Sequence, residues 1–182
     1  MKLTILIPMI CIIAIAATAC LHPSGIEDAL IECNLTLIGD CERVLSYDEI
    51  RAMPSCAGRG GFFTTVGIVN GPFECRGVSL EELCNLVGGI NATDTVRIRA
   101  SDGYRMVFTR DQVRGDFVTY DPATMREVPH TDQKVILMYE QDGSPLSGDT
   151  GGPFRVAIIS KDKLLTEGHY WVQWVDTIEI TK

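Results

Sequence analysis

Residues 134–160 read KVILMYEQDGSPLSGDTGGPFRVAIIS. Two runs rich in Val, Ile, Leu and aromatic residues, Val135–Tyr139 and Phe154–Ile159, flank a segment dense in Gly, Pro, Asp and Ser. The pattern predicts strand, exposed loop, strand, because the flanking side chains suit a pleated sheet and the intervening ones supply turn conformations. Both runs are almost continuously apolar instead of alternating, which predicts strands covered on both faces. The middle of the core is expected here.

Working outward to the N-terminus, the first nineteen residues read as a leader and not as fold. Met1-Lys2 supplies a positive start, Leu3–Thr18 is an apolar run, and Ala17-Thr18-Ala19-Cys20 places small residues before a cleavage point. Ala-Thr-Ala-Cys also resembles a lipobox, in which Cys20 becomes the lipidated N-terminus. An ordinary signal peptide cut nearby and an uncleaved signal anchor are the alternatives, and all three readings place the rest of the chain outside the cytoplasm. Residues 20–32 then form a spacer and residues 33–182 one domain. Membrane lipid is the expected partner, through a Cys20-linked anchor; the alternative is a secreted protein.

The 182 residues, less the leader, suffice for one domain with a sizeable core. The formal charge of −8 becomes one unit more negative when Lys2 leaves with the leader. That balance argues against nucleic acid as a partner and against a broad electrostatic grip on anionic lipid, so attachment falls to the anchor.

Beyond Cys20 stand Cys33, Cys41, Cys56, Cys75 and Cys84, an odd set, so at least one is left over if the others pair internally. Cys33 and Cys41 bracket a short strand and a turn and are candidates for a local disulfide, as the oxidising compartment allows. There is no CxxC, and His22, His130 and His169 are scattered, which argues against a structural zinc site. Asn34-Leu-Thr36 and Asn91-Ala-Thr93 match the N-glycosylation tripeptide, a weak mark.

In chain order, Asn34–Ile38 reads as a strand. Three capping boxes follow: Ser46–Glu49, opening a helix to about Met53, Ser79–Glu82 and Thr109–Gln112. Leu80, Leu83, Cys84 and Val87 share one helical face, which makes Cys84 a buried thiol, and Gly88-Gly89 stops that helix. Ser55–Gly61, SCAGRGG, reads as a loop, Phe62–Val69 as a strand and Pro72–Cys75 as a short extended piece. Thr95–Ala100 and Arg105–Phe108 form a hairpin about Ser101-Asp-Gly-Tyr104. Phe117–Tyr120 is a further short strand, Leu164–His169 a crossing segment, and Tyr170–Ile180 a closing aromatic-rich strand. The fold class is α+β, a strand-rich single domain with short helices.

The strings GVSLEEL (77–83), SDGYRMVF (101–108), LMYEQDGSPLSGDTGGPFRV (137–156) and YWVQWVDTIEI (170–180), in this order, resemble the molybdopterin-binding domain of the sulfite oxidase family. The resemblance spans roughly Asn34 to Ile180 and implies the sulfite oxidase-like fold. It also implies a molybdopterin cofactor, oxygen-atom transfer and a redox partner. Family enzymes hold molybdenum through a pyranopterin dithiolene and one cysteine thiolate opening a Cys-Ala-Gly-Asn-Arg-Arg loop; Cys56-Ala57-Gly58-Arg59 begins the same way, with Arg59 where the asparagine falls. On that resemblance Cys56 is the metal thiolate, Tyr104 and Arg59 line the substrate side, and Arg155 of the G-x-P-x-R segment contacts the cofactor.

Each assignment has a structural alternative. Cys56 is metal ligand or half of a disulfide with Cys75; Tyr104 is catalytic or a hairpin aromatic packed beside Phe108; Arg155 is a cofactor contact or half of an ion pair. Gln173 stands in place of the usual lysine of the W-V-K-W strand, and Thr150 in place of a histidine found in some members. Those substitutions remove groups that a pterin phosphate and an oxyanion use. Two functions are therefore expected to compete: a membrane-anchored extracytoplasmic molybdopterin oxidoreductase-like domain, and a cofactor-free binding or structural domain on the same scaffold.

Overall fold

The computed structural model describes residues 33–129 and 132–182. The leader, the spacer 20–32 and Cys20 lie outside the described residues. Sequence order is β1 (Asn34–Ile38), β2 (Glu42–Ser46), α1 (Tyr47–Ala52), β3 (Cys56–Phe63), β4 (Val69–Ser79), α2 (Leu80–Asn85), β5 (Thr95–Ala100), β6 (Arg105–Thr109), α3 (Arg110–Val113), β7 (Lys134–Gln141), β8 (Ser144–Pro145), β9 (Arg155–Ile159), β10 (Leu165–Glu167) and β11 (Val175–Thr181).

Two sheets share the work. The first runs β2-β1-β11-β5-β6, with β1 and β11 parallel and the other pairs antiparallel. The second runs β10-β3-β4-β7-β8, and β9 also pairs with β7. Strand β7 is its middle, between β4 on one side and β8 and β9 on the other. Val135–Tyr139 and all of β9 are buried, as their unbroken apolar runs predict. They pair with each other, so the core is centred where the opening stretch places it.

The second sheet curls. After β9 the chain turns back, so that Ser160 bridges Arg59 of β3 (Arg59 N–H to Ser160 O, 2.8 Å; Ser160 N–H to Arg59 O, 3.1 Å) and β10 pairs in parallel with β3. This closure explains the first correction. The glycine-rich run expected to be a loop is strand β3, paired with β4 from Cys56 to Phe63 apart from a register shift at Gly61. A Cβ on Gly58 would stand 2.7 Å from the Ser160 carbonyl oxygen, and one on Gly60 would collide with that of Ile158. The glycines mark a close backbone approach, not irregular chain.

Other boundaries move for equally local reasons. Of the run Phe62–Val69 only the ends are strand; Thr64–Ile68 is a turn in which Thr64 Oγ1 accepts from the Ile68 N–H at 3.1 Å. Phe117–Tyr120 is extended but joins no ladder beyond bridges at Tyr120, because the Gln133 side chain takes the Phe117 N–H (3.2 Å) and carbonyl (3.3 Å). The closing strand starts only at Val175, after a 3-10 turn at Gly168–Tyr170 and a left-handed residue, Trp174 (φ 50°).

Capping boxes form at Ser46/Glu49 and Thr109/Gln112, each reciprocally bonded. At Ser79 no side-chain cap bond exists, since that residue is still paired with Ile136 as the last of β4. Leu80, Leu83, Cys84 and Val87 are all buried.

Both expected disulfides are absent. Cys33, Cys41, Cys56, Cys75 and Cys84 are free thiols. In the β3–β4 ladder Cys56 stands opposite Gly77 and Cys75 opposite Gly58, so the two cysteines are diagonal neighbours and not a directly facing pair. Among the described residues no helix is long and apolar enough to cross a membrane.

Candidate functional site

One cavity holds two of the residues singled out in the sequence, Tyr104 and Arg155. It measures about 300 Å³ and lies between the end of β3, the start of β9 and the 168–174 segment, with Phe62, Tyr104, Arg155, His169, Trp171, Gln173 and Trp174 among its walls. Arg155 enters from the first position of β9, where the fully buried strand carries its side chain into the interior; only 4% of it is exposed. Its guanidinium lies 4.9 Å from the centre of the Phe62 ring and 5.5 Å from that of Trp171. Aromatic faces stabilise a cation there, by about 2 kcal/mol or more when water is excluded.

Hydrogen bonding leaves Arg155 underfilled. Its Nη1 donates to the Thr150 carbonyl at 3.3 Å, its Nε has no acceptor, and no described carboxylate pairs with it. Burial moves its pKa down to about 10, with Cys75 opposing the shift, and it stays a cation at neutral pH. The predicted ion pair is thus replaced by contact with two rings that also pack on each other, their centroids 5.3 Å apart.

The rest of the wall is held by its own bonds. Trp171 Nε1 donates to the buried Thr166 hydroxyl at 2.8 Å, and Trp174 Nε1 to the Gly148 carbonyl at 2.8 Å. A bulky residue at positive φ costs on the order of 1–3 kcal/mol, and Trp174 keeps that geometry through backbone bonds to Gly151 and Ser101. Gly151 has no Cβ where the Gln173 methylenes pack; a Cβ there would lie 2.6 Å from Gln173 Cγ. The Tyr104 hydroxyl donates to the His169 carbonyl at 3.1 Å, and His169 Nδ1 faces the Glu167 carboxylate at 3.2 Å.

The four residues singled out in the sequence do not converge. Tyr104 and Arg155 share this cavity. Arg59 pairs with Glu74 at 3.0 Å on the surface, an exposed contact of the kind that adds little stability, and borders a separate groove with Arg76, Glu140 and Lys161. Cys56 opens β3 while Phe62, which touches Arg155, lies near its end; six residues at the strand rise put roughly 20 Å between them. Cys56 and Arg59 are three apart on a strand, so they face opposite sides of it.

Sequence reasoning passed over Phe62, His169, Trp171 and Trp174. A usable signal existed: the chain has two tryptophans, both in the string WVQW, and both line this cavity. Among the described residues no group of three or more His, Cys, Asp or Glu could hold a metal ion.

Residues 32–182 match the family model described as the oxidoreductase molybdopterin binding domain. The chain belongs to that family. Among solved structures, the crystal structure of the sulfane dehydrogenase SoxCD from Paracoccus pantotrophus is similar to it with a TM-score of 0.60 at 17% identity, over 81% of this chain. The match covers 37% of the SoxCD chain, and at this identity it shows the shared fold. No curated protein matches the sequence.

Family membership makes molybdopterin the group to test against these residues. The organic half fits only in part: aromatic walls suit a flat ring, but Arg155 is the one Arg or Lys side chain in the lining to meet a phosphate. The metal half does not. No thiol lines the cavity. The thiol electrostatically coupled to Arg155, Cys75, is buried, lends its S–H to the Phe73 carbonyl at 3.7 Å, and is pushed up to about 12 by burial, so it is held neutral.

Proposed function

We propose that this member of the molybdopterin-binding oxidoreductase family is a membrane-tethered, extracytoplasmic ligand-binding domain that has no molybdenum centre at Cys56. The observation that carries this reading is the separation along β3: Cys56, the thiol with family-like neighbours in sequence, opens the strand, while Phe62, which lines the cavity with Arg155 and Tyr104, lies six residues on, roughly 20 Å at the strand rise. A metal–thiolate centre needs its thiolate, its pterin contacts and its substrate groups around one point. Here Cys56 and Arg59 lie apart from the cavity that Tyr104 and Arg155 share.

Two further features support the reading. The Tyr104 hydroxyl is engaged with a backbone carbonyl and would give up that bond to meet an oxyanion, and the Arg59 charge is offset by Glu74. Tethering rests on the leader and on Cys20 in the Ala-Thr-Ala-Cys string, whose lipidation would hold the domain at the membrane surface.

The test is metal and pterin analysis of the full chain produced in a host able to make molybdopterin. Molybdenum well below one atom per chain is expected, unchanged by Cys56→Ser. Near-stoichiometric metal would overturn the reading; its loss in Cys56→Ser would restore an oxygen-atom-transfer enzyme working with a redox partner.

A further inference from the structure

A buried charge without a counter-ion is the least comfortable group in this fold. Taking a cation out of water costs several kcal/mol unless a partner anion or a full set of hydrogen bonds replaces the lost hydration. Arg155 has neither: one carbonyl at 3.3 Å, an Nε with no acceptor, and no described carboxylate. Phe62 and Trp171 lie against the guanidinium, yet rings cannot accept the in-plane N–H bonds of its fork.

The surroundings narrow what could complete it. Phe62, Tyr104, Trp171 and Trp174 give the walls a largely aromatic character, which favours a flat ring that can stack or meet edges. About 300 Å³ is at the small end of ligand pockets, the size for one or two rings. Asp102 also lines the cavity, and Glu167 lies beside it on His169. With one buried cation and two carboxylates near it, a dianion or polyphosphate is disfavoured, and an anion of single charge is admitted only where it sits directly on the Arg155 fork. The strained Trp174 sits in the same wall, where such backbone strain commonly accompanies a binding function.

We propose that this cavity binds a small planar aromatic monocarboxylate without any metal, its carboxylate on the Arg155 fork and its ring among Phe62, Trp171 and Trp174. The planar, bidentate geometry of a carboxylate matches the fork better than a spherical anion does. Gln173, whose side chain packs over Gly151, supplies an amide at the opposite wall. The proposal rests on the metal-free reading above and names the class of ligand for it.

Trp171 and Trp174 are the chain's two tryptophans, so fluorescence excited beyond the absorption of the five tyrosines reports this cavity. Full-length protein in detergent is titrated with benzoate, benzamide and inorganic sulfate. Benzoate should give a saturable change, with benzamide at least about tenfold weaker and sulfate a poor competitor. Arg155→Gln should weaken benzoate at least about tenfold. Should Arg155→Gln fail to fold, Tyr104→Ala, at a half-exposed wall position, provides a second variant and should weaken benzoate several-fold with its thermal transition unchanged.

No saturable change with benzoate, equal binding of benzamide, or full binding by a folded Arg155→Gln protein would each overturn the proposal. Sulfate competing as well as benzoate binds would reduce the site to a bare anion contact and also overturn it. Metal analysis of the same preparation separates the two failures. Absent molybdenum with no benzoate binding sinks this inference alone, whereas stoichiometric molybdenum sinks the function it rests on.

Discussion

Cys75 and Cys84 are both buried, and burial pushes each thiol up to about 12. In the unfolded chain they ionise near about 8.5. Between those values the unfolded state has released protons that the folded state keeps, so stability is complete below the lower value and falls as pH rises toward the higher one. The slope approaches about 1.4 kcal/mol per pH unit for each thiol. Urea midpoints taken from about pH 8 to about pH 10.5 should show the decline, and Cys84→Ala should remove close to half of the thiol-dependent slope. An alkaline slope untouched by that substitution would show that the thiol is not held neutral. Cys84 was legible in the sequence because helical spacing puts it with Leu80, Leu83 and Val87. Cys56 was not: a tripeptide match carries composition but no information on which end of a strand the residue occupies.

Individual elements were legible where the signal was chemical and local. The boxes at Ser46/Glu49 and Thr109/Gln112 form as read, with Thr109 Oγ1 accepting from the Gln112 N–H at 3.2 Å and Gln112 Oε1 from the Thr109 N–H at 2.9 Å. The equally well-formed string at Ser79 does not cap, because ladder pairing with Ile136 fixes its backbone first. Thr109→Ala should therefore cost about 1 kcal/mol and Ser79→Ala only a few tenths, compared as shifts in urea midpoint. Equal losses would show that the Ser79 hydroxyl caps in solution after all. Strand β3 was illegible for the opposite reason. Its glycines answer to the carbonyls of Ile158 and Ser160, about a hundred residues away, and no local rule reports a contact of that range.

At the scale of the molecule, strand-rich class, single-domain extent and the position of the core could all be read from alternation, run length and turn residues. The closure of the second sheet and the bare surroundings of Arg155 could not, since both depend on which strands become neighbours. The proposed tether belongs to this scale as well. Cys20→Ser, expressed with its leader, should move the chain from the membrane to the soluble extracytoplasmic fraction while leaving the thermal transition of the domain in place. A variant that stays in the membrane would rule out attachment through that cysteine.

The first sheet has one more implication. Its middle strand, β11, follows every other described strand in sequence, yet it lies between β1, the first of them, and β5. A nascent chain cannot join those two neighbours until residues 175–181 have emerged, so this sheet closes only after all its other strands have been made. A premature stop before Val175 would leave two separated half-sheets with raw inner edges, a species for quality control and not a shorter working domain.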